Sequence, residues 1–431
     1  MSKIIDIIVK DIRFPTSLDN LGSDSVHVDC DYSAAYVEIF TDDKDLKGIG
    51  LTFTIGKGND LCVACIKHFK PLFLNKNITE IEKNINSLWR SCTNHSQLRW
   101  IGPEKGVIQL SVAALFNGFW DLISKYHRKP LWKYIVDLNT EDLLNKLSFT
   151  YIDDVITKEE AFNIIEGKKN NIQIATQSII KNGFPCYTTA AGWLGYSDEK
   201  MINLTKKYLS EGWTHFKMKV GQDIDRDIHR CKLVREIIGK DNLLMIDANQ
   251  AWSVKESIKN INKLKEFDLY FVEEPTNPDD ILGFKKIKNS VGGVKLATGE
   301  MCQNRIVFKQ FLENKSLDFC QIDSCRLASL NEILPILLMS SKLNIPVIAH
   351  AGGVGLCEYV QHLNIINQLI ITNNTTYLSE YAESCSEHLT NPSIIKNGHY
   401  VTPMNSGYSA IIKKDSVKKF QFPNGDYWKG K

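Results

Sequence analysis

Apolar residues alternate with polar ones or run together over Lys3–Arg13 and Ala34–Phe40, and the pattern resumes over Gly48–Phe53 beyond the polar run Asp42-Asp43-Lys44-Asp45. Period-two segments broken by such a run predict an antiparallel meander. After Gly56-Lys57-Gly58, which suits a turn, the apolar spacing lengthens to that of amphipathic helices over Asp60–Phe73 and Ile81–Ser91, while Lys105–Tyr126 is apolar on nearly every face. A helix of that last kind is buried. Residues 1–145 are therefore expected to form an α+β domain. A polar, helix-permissive stretch over 155–183 follows.

Beyond it the rhythm changes. Short apolar segments at Tyr187–Ala191, His215–Val220, Leu243–Asn249, Tyr270–Glu274, Lys295–Glu300, Phe319–Ser324, Pro346–His350 and Tyr377–Tyr381 alternate with helical stretches. Eight strands with intervening helices predict a closed parallel barrel over 146–384. An open doubly wound sheet is the structural alternative. It is disfavoured because no GxGxxG opens the first helix and polar residues end many successive strands, not one switch point. Residues 385–431 show little periodicity and are expected to pack back onto the N-terminal domain.

Composition narrows the picture modestly. The balance of 52 Lys plus Arg against 50 Asp plus Glu provides no field to draw the chain to nucleic acid or an anionic membrane. Pairs such as Lys168-Lys169 and Lys418-Lys419 are read as solvated. Asp6 and Lys10 interrupt the start too early for a secretory signal, and no run approaches the ~18 apolar residues of a spanning helix. The expected compartment is the cytoplasm. Eleven cysteines in 431 residues are sparse and odd in number, which suits a reducing compartment. Cys62 and Cys65 share an apolar stripe with Leu61 and Ile66, so this CxxC is read as buried thiols and not as a metal site.

The ends of the barrel strands carry the candidate chemistry, because that rim faces the active site in barrels of this type. Asp247, Glu273 and Glu300 end three consecutive strands, 26 and 27 residues apart, which is one strand–helix repeat each. Taken singly, such acids cap helices or pair with Arg. A regular triple of converging carboxylates calls for a cation, and an all-oxygen site suits Mg²⁺. Lys217 and Lys219 alternate to the same side of their strand. Lys217 is expected to hold a substrate carboxylate and to lower the pKa of Lys219, the candidate base for abstracting a proton next to that carboxylate. Asp323 and His350 end successive strands on the other side, where the carboxylate orients the imidazole as an acid for a departing hydroxide.

These residues resemble the enolase superfamily, and within it the acid sugar dehydratases of the mandelate racemase type. Longer strings, Arg13-Phe14-Pro15-Thr16-Ser17, Leu98-Arg99-Trp100-Ile101-Gly102-Pro103-Glu104-Lys105-Gly106, Gln321-Ile322-Asp323-Ser324-Cys325-Arg326 and His350-Ala351-Gly352-Gly353-Val354-Gly355-Leu356, look like the L-fuconate dehydratases. The resemblance implies a modified TIM barrel, (β/α)7β-like, with an α+β capping domain to which the C-terminal segment returns. It implies one Mg²⁺ on Asp247, Glu273 and Glu300, Lys219 as the base at C2, and His350 with Asp323 as the acid. It further implies substrate contacts from Lys217, Asn249 and Glu380 in the barrel and from Gly22, Ser23, Asp24 and Tyr32 in the cap. The reaction would convert L-fuconate to 2-keto-3-deoxy-L-fuconate and water. A dehydratase or racemase for another acid sugar, or a non-catalytic scaffold, remains the alternative. The partner is a small acid sugar; a homo-oligomer and, through the resemblance alone, a mitochondrial location stay open.

Overall fold

The computed structural model describes residues 2–374 and 378–430. The N-terminal meander is realised as an antiparallel sheet of β1 (Ile4–Arg13), β2 (Ser33–Thr41) and β3 (Lys47–Thr54), in that order. The central strand is buried on both faces, which is why Ala34–Ile39 reads as a nearly continuous apolar run. Its one acid, Glu38, is flanked across the sheet by Lys10 and Lys47, and burial of the carboxylate is outweighed by these two ammonium groups, which hold its pKa down.

Helix Gly106–Tyr126 lies across β3 with backbone touching backbone. A Cβ on Gly50 would come within 2.2 Å of the Ala114 carbonyl oxygen, so only glycine allows the approach. Among the described residues this is the one helix long and apolar enough to cross a membrane, contrary to the sequence expectation, and most of it is buried inside the protein. Small residues, Ala113, Ala114 and Gly118 among them, interleave with Phe116, Phe119 and Trp120 and let it be enclosed.

The barrel is built from parallel strands β4 (Phe184–Thr188), β5 (His215–Lys219), β6 (Leu243–Asp247), β7 (Leu269–Glu273), β8 (Leu296–Thr298) and β9 (Phe319–Cys320). The seventh predicted strand, 346–350, is only partly regular. It bridges Cys320 at Val347, and the His350 N–H donates to the Ile322 carbonyl. The ring then closes through β10 (Ser379–Tyr381): the Glu380 N–H donates to the Ala349 carbonyl at 3.2 Å, and β10 pairs in parallel with β4. Tyr377, where this last strand was expected to begin, lies outside the described residues. Among the described residues seven α-helices separate the eight staves, and only a short 3-10 turn, Ser386–His388, follows the last before the C-terminal hairpin.

Several boundaries differ from the pattern-based reading. The fifth and sixth barrel strands are shorter than expected, and the helix expected over Ile81–Ser91 is two, Ile78–Lys83 and Ile85–Thr93. Two further strand ends shift for identifiable reasons. The first barrel strand starts at Phe184, not Tyr187, because Phe184 and Pro185 pair with Tyr400 and His399 of a C-terminal hairpin. The third strand stops at Asp247, because Asn249 and Gln250 turn to positive φ. Besides that hairpin on the barrel, the C-terminal segment touches the cap: Phe422 N–H donates to the Asp11 carbonyl at 2.8 Å, and the Phe14 ring stacks on His388 with centroids 4.5 Å apart.

Cap and barrel are joined by a buried ion network. Arg305, 1% exposed, donates to Glu332 at 2.8 Å, to Glu104 at 3.1 Å and to the Thr150 carbonyl at 2.8 Å. Removing one member of such a network strands a buried charge, which costs about 3–5 kcal/mol. Arg305→Met is accordingly expected to lower unfolding free energy by about that amount in urea titrations. A loss under about 1 kcal/mol would show that solvent already screens the network.

Candidate active site

Within the barrel, side chains form two storeys. The lower one is apolar: Tyr187, Met245, Phe271, Ala297, Phe319, Ile348 and Leu378 pack together and close the base. Strand alternation puts the next inward residues of the same staves on the storey above. There the parallel register sets Lys219 beside Asp247 and Asp247 beside Glu273. Glu300 joins them from the loop after β8 because Gly299, at φ 150°, bends the chain where a Cβ would sit 2.0 Å from the Gln321 carbonyl oxygen. The three carboxylates each offer an oxygen within 4.8 Å of the others.

This donor set fits a hard divalent cation. Glu273 Oε1 is buried without a hydrogen-bond partner. Burial, and then the nearby Asp247 carboxylate, push the pKa of Glu273 up to about 8. A dication among the three acids is the charge that would relieve both.

The two lysines occupy different depths. Lys217 is fully buried beneath the carboxylates, 2.8 Å from Glu273 Oε2, 2.9 Å from Glu380 Oε1 and 3.5 Å from Asp247 Oδ2. It does not line the cavity, so the structure does not place it where it was expected to hold a substrate carboxylate. Lys219 does line the cavity, and its ammonium donates to Asp247 Oδ2. Burial opposes its charge most strongly, but Asp247, Glu300 and Asp24 together outweigh burial and the neighbouring Lys217, so the pKa of Lys219 stands above its ordinary value. The lowered pKa expected from the sequence belongs to a lysine beside a cation; the protein's own carboxylates, Asp247 first among them, act in the opposite direction.

Facing Lys219 is the His350–Asp323 pair, with Nδ1 and Oδ2 2.7 Å apart. The other Asp323 oxygen accepts from the Cys325 and Arg326 backbone N–H groups, fixing the carboxylate. Nε2 of the imidazole lies 3.2 Å from Glu300 Oε2, although the angle there does not make a hydrogen bond. Burial disfavours the imidazolium, yet Glu300 and the bond to Asp323 raise the His350 pKa to about 10. Glu380 accepts from the Thr189 hydroxyl and the Ala351 N–H. Burial works against its charge, and Lys217 and His350 together hold its pKa well below the usual range.

All of this opens into one cavity of about 210 Å³ between barrel and cap. Lys219, Asn249, Glu300, Asp323, His350 and Glu380 line it from below, and Gly22, Asp24 and Tyr32 from above. Asp247, Glu273 and Lys217 form the layer underneath. Ser23 lies off the wall: its hydroxyl donates to the Asn20 carbonyl and accepts from the Gly195 N–H at 3.0 Å, latching the cap loop to the loop after β4. A second latch runs from the Ser25 hydroxyl to the Ala248 carbonyl at 2.9 Å. The sequence reading gave no role to His27, Phe53, Trp193, Met301 or Arg326, all of which line the cavity. Arg326 belongs to a recognised string, but the others sit in turns and strand ends with no spacing signal.

Comparison with known proteins agrees with this architecture. Residues 200–416 match the family model described as Enolase C-terminal domain-like. The chain is 47% identical over 431 residues to mitochondrial enolase superfamily member 1 of Xenopus laevis, covering 99% of this chain and 97% of that protein. It is 45% identical to L-galactonate dehydratase of Hypocrea jecorina, covering 96% and 93%. The crystal structure of human mitochondrial enolase superfamily member 1 superposes with a TM-score of 0.98 at 45% identity, covering 99% of this chain and 98% of that one. Matches covering 96–99% of the chain run through cap and barrel together, and the protein is a member of the enolase superfamily.

Proposed function

We propose that this protein is a Mg²⁺-dependent acid sugar dehydratase, acting on L-fuconate. The observation that carries the reading is the placement of Lys219 and His350 on one cavity with a carboxylate triad beside both. Asp247, Glu273 and Glu300 would hold the cation. When bound, Mg²⁺ supplies positive charge that stabilises the developing enediolate and offsets the carboxylate field that otherwise keeps Lys219 protonated.

Lys219 then takes the proton from C2. His350, oriented by Asp323, gives a proton to the C3 hydroxyl as the C3–O bond breaks, so the hydroxyl leaves as water. The C2–C3 enol that remains tautomerises to the 2-keto-3-deoxy acid. Substrate and product differ by that one water. Cap residues Gly22 and Tyr32 cover the cavity and exclude bulk water from the reactive intermediate.

The relative named L-galactonate dehydratase favours a second reading, the analogue bearing a hydroxyl at C6. Incubation with Mg²⁺ and a panel of acid sugars that includes both compounds, followed by 2-keto acid detection, decides between them. Turnover of other acids with none of L-fuconate would sink the specific assignment. His350→Asn tests the division of labour. It should abolish dehydration while C2 hydrogen–deuterium exchange continues, because Lys219 is intact; loss of both would show that the imidazole is needed before C–O cleavage.

A further inference from the structure

The cap contributes a second aspartate–histidine pair to the same cavity. His27 Nδ1 lies 3.0 Å from Asp24 Oδ2, and Asp24 Oδ1 accepts from the Val26 and His27 backbone N–H groups. The Asp24 N–H in turn donates to the His27 carbonyl at 3.0 Å, which closes the turn on itself. Both oxygens of Asp24 are therefore occupied within its own loop. This aspartate is placed to aim the imidazole, and the ring is the part of the pair with a nitrogen to spare.

His27 lines the cavity with about a third of its side chain exposed (32%). The charged groups it faces are Asp24, Glu300 and Lys219. The bond to Asp24 raises its pKa, burial opposes this, and Glu300 adds to the rise. With Nδ1 held by Asp24, the protonated ring has its outer N–H free to donate into the cavity.

Orientation of a substrate follows from the functional reading above. A carboxylate end at the triad, C2 at Lys219 and C3 at His350 leave the remaining carbons to extend toward the cap, where this turn lies. We infer that His27 donates a hydrogen bond to a hydroxyl on the distal part of the acid sugar, and that Asp24 is a positioning residue acting through it. The inference rests on the proposed function and names the group that reads the far end of that substrate. It also reassigns Asp24, expected from resemblance alone to touch the sugar.

The test uses the full chain with Mg²⁺ and the acid sugar it turns over best. His27→Phe should raise KM tenfold or more, with kcat falling by less than KM rises and the Mg²⁺ activation midpoint unmoved. His27→Gln, whose amide can donate from a similar position, should stay within threefold of wild type in KM. Asp24→Asn keeps an acceptor for the backbone but weakens the hold on the imidazolium. Its KM should climb tenfold between pH 6 and 8.5, while that of the wild type changes less than threefold. A His27→Phe KM within threefold of wild type, or a Gln variant as poor as the Phe variant, overturns the assignment. Failure of the wild-type protein to turn over any acid sugar overturns the functional reading and this inference with it. Turnover indifferent to His27 overturns this inference alone.

Discussion

Lys219→Ala is expected to lower dehydration about 10³-fold or more, within the ~10²–10⁴ that a positioned general base supplies, and to abolish C2 hydrogen–deuterium exchange along with it. The two readouts belong together because, among the described residues, the other lysine on the cavity wall, Lys57, comes from the cap turn after β3, and Lys217 is sealed beneath by Glu273 and Glu380. Far-ultraviolet circular dichroism checks that the barrel still folds. Exchange at near wild-type rate in this variant would remove Lys219 from the proton transfer. In that case the base would have to come from the opposite wall, where His350 is the remaining candidate.

Removal of divalent metal should have an effect of similar size. Treatment with a chelator is expected to silence the protein, and Mg²⁺ to restore it. Glu273→Gln should weaken Mg²⁺ binding at least about 100-fold in calorimetry, more than the ~10–100-fold that residues merely supporting a ligand contribute. Stability gives a second measure. A ligand at 100 times its Kd stabilises the folded state by about 2.7 kcal/mol, so Mg²⁺ should shift the wild-type melting curve upward and leave that of Glu273→Gln unmoved at the same concentration. Full activity after exhaustive chelation would refute the assignment of the triad as a cation site.

The parts of this site that were legible in the sequence are those fixed by local repetition. Asp247, Glu273 and Glu300 recur at the interval of a strand–helix unit, and the alternation in Lys217-Met218-Lys219 settled which residues share a side. Depth along the strand was not legible. Whether Lys217 meets substrate or lies below it depends on where the carboxylates of three other staves end. The cap was harder still. Ser23 and His27 are four residues apart, yet one turns to Gly195 and the other to the cavity. The direction of Ser23 is decided by a partner 172 residues distant, which no local pattern records. The seventh stave shows a related limit: its apolar run predicts a strand, yet pairing is reduced to a bridge between Val347 and Cys320, which the run itself does not record.

The latches from Ser23 to Gly195 and from Ser25 to Ala248 carry a mechanical consequence. They hold the cap turn against two barrel loops through small hydroxyls and backbone groups, none of which belongs to the proposed reacting centre. The clamp on the turn is thereby separate from the groups proposed to move protons, so loosening it by Ser25→Ala leaves the spacing of Lys219 and His350 to the barrel alone.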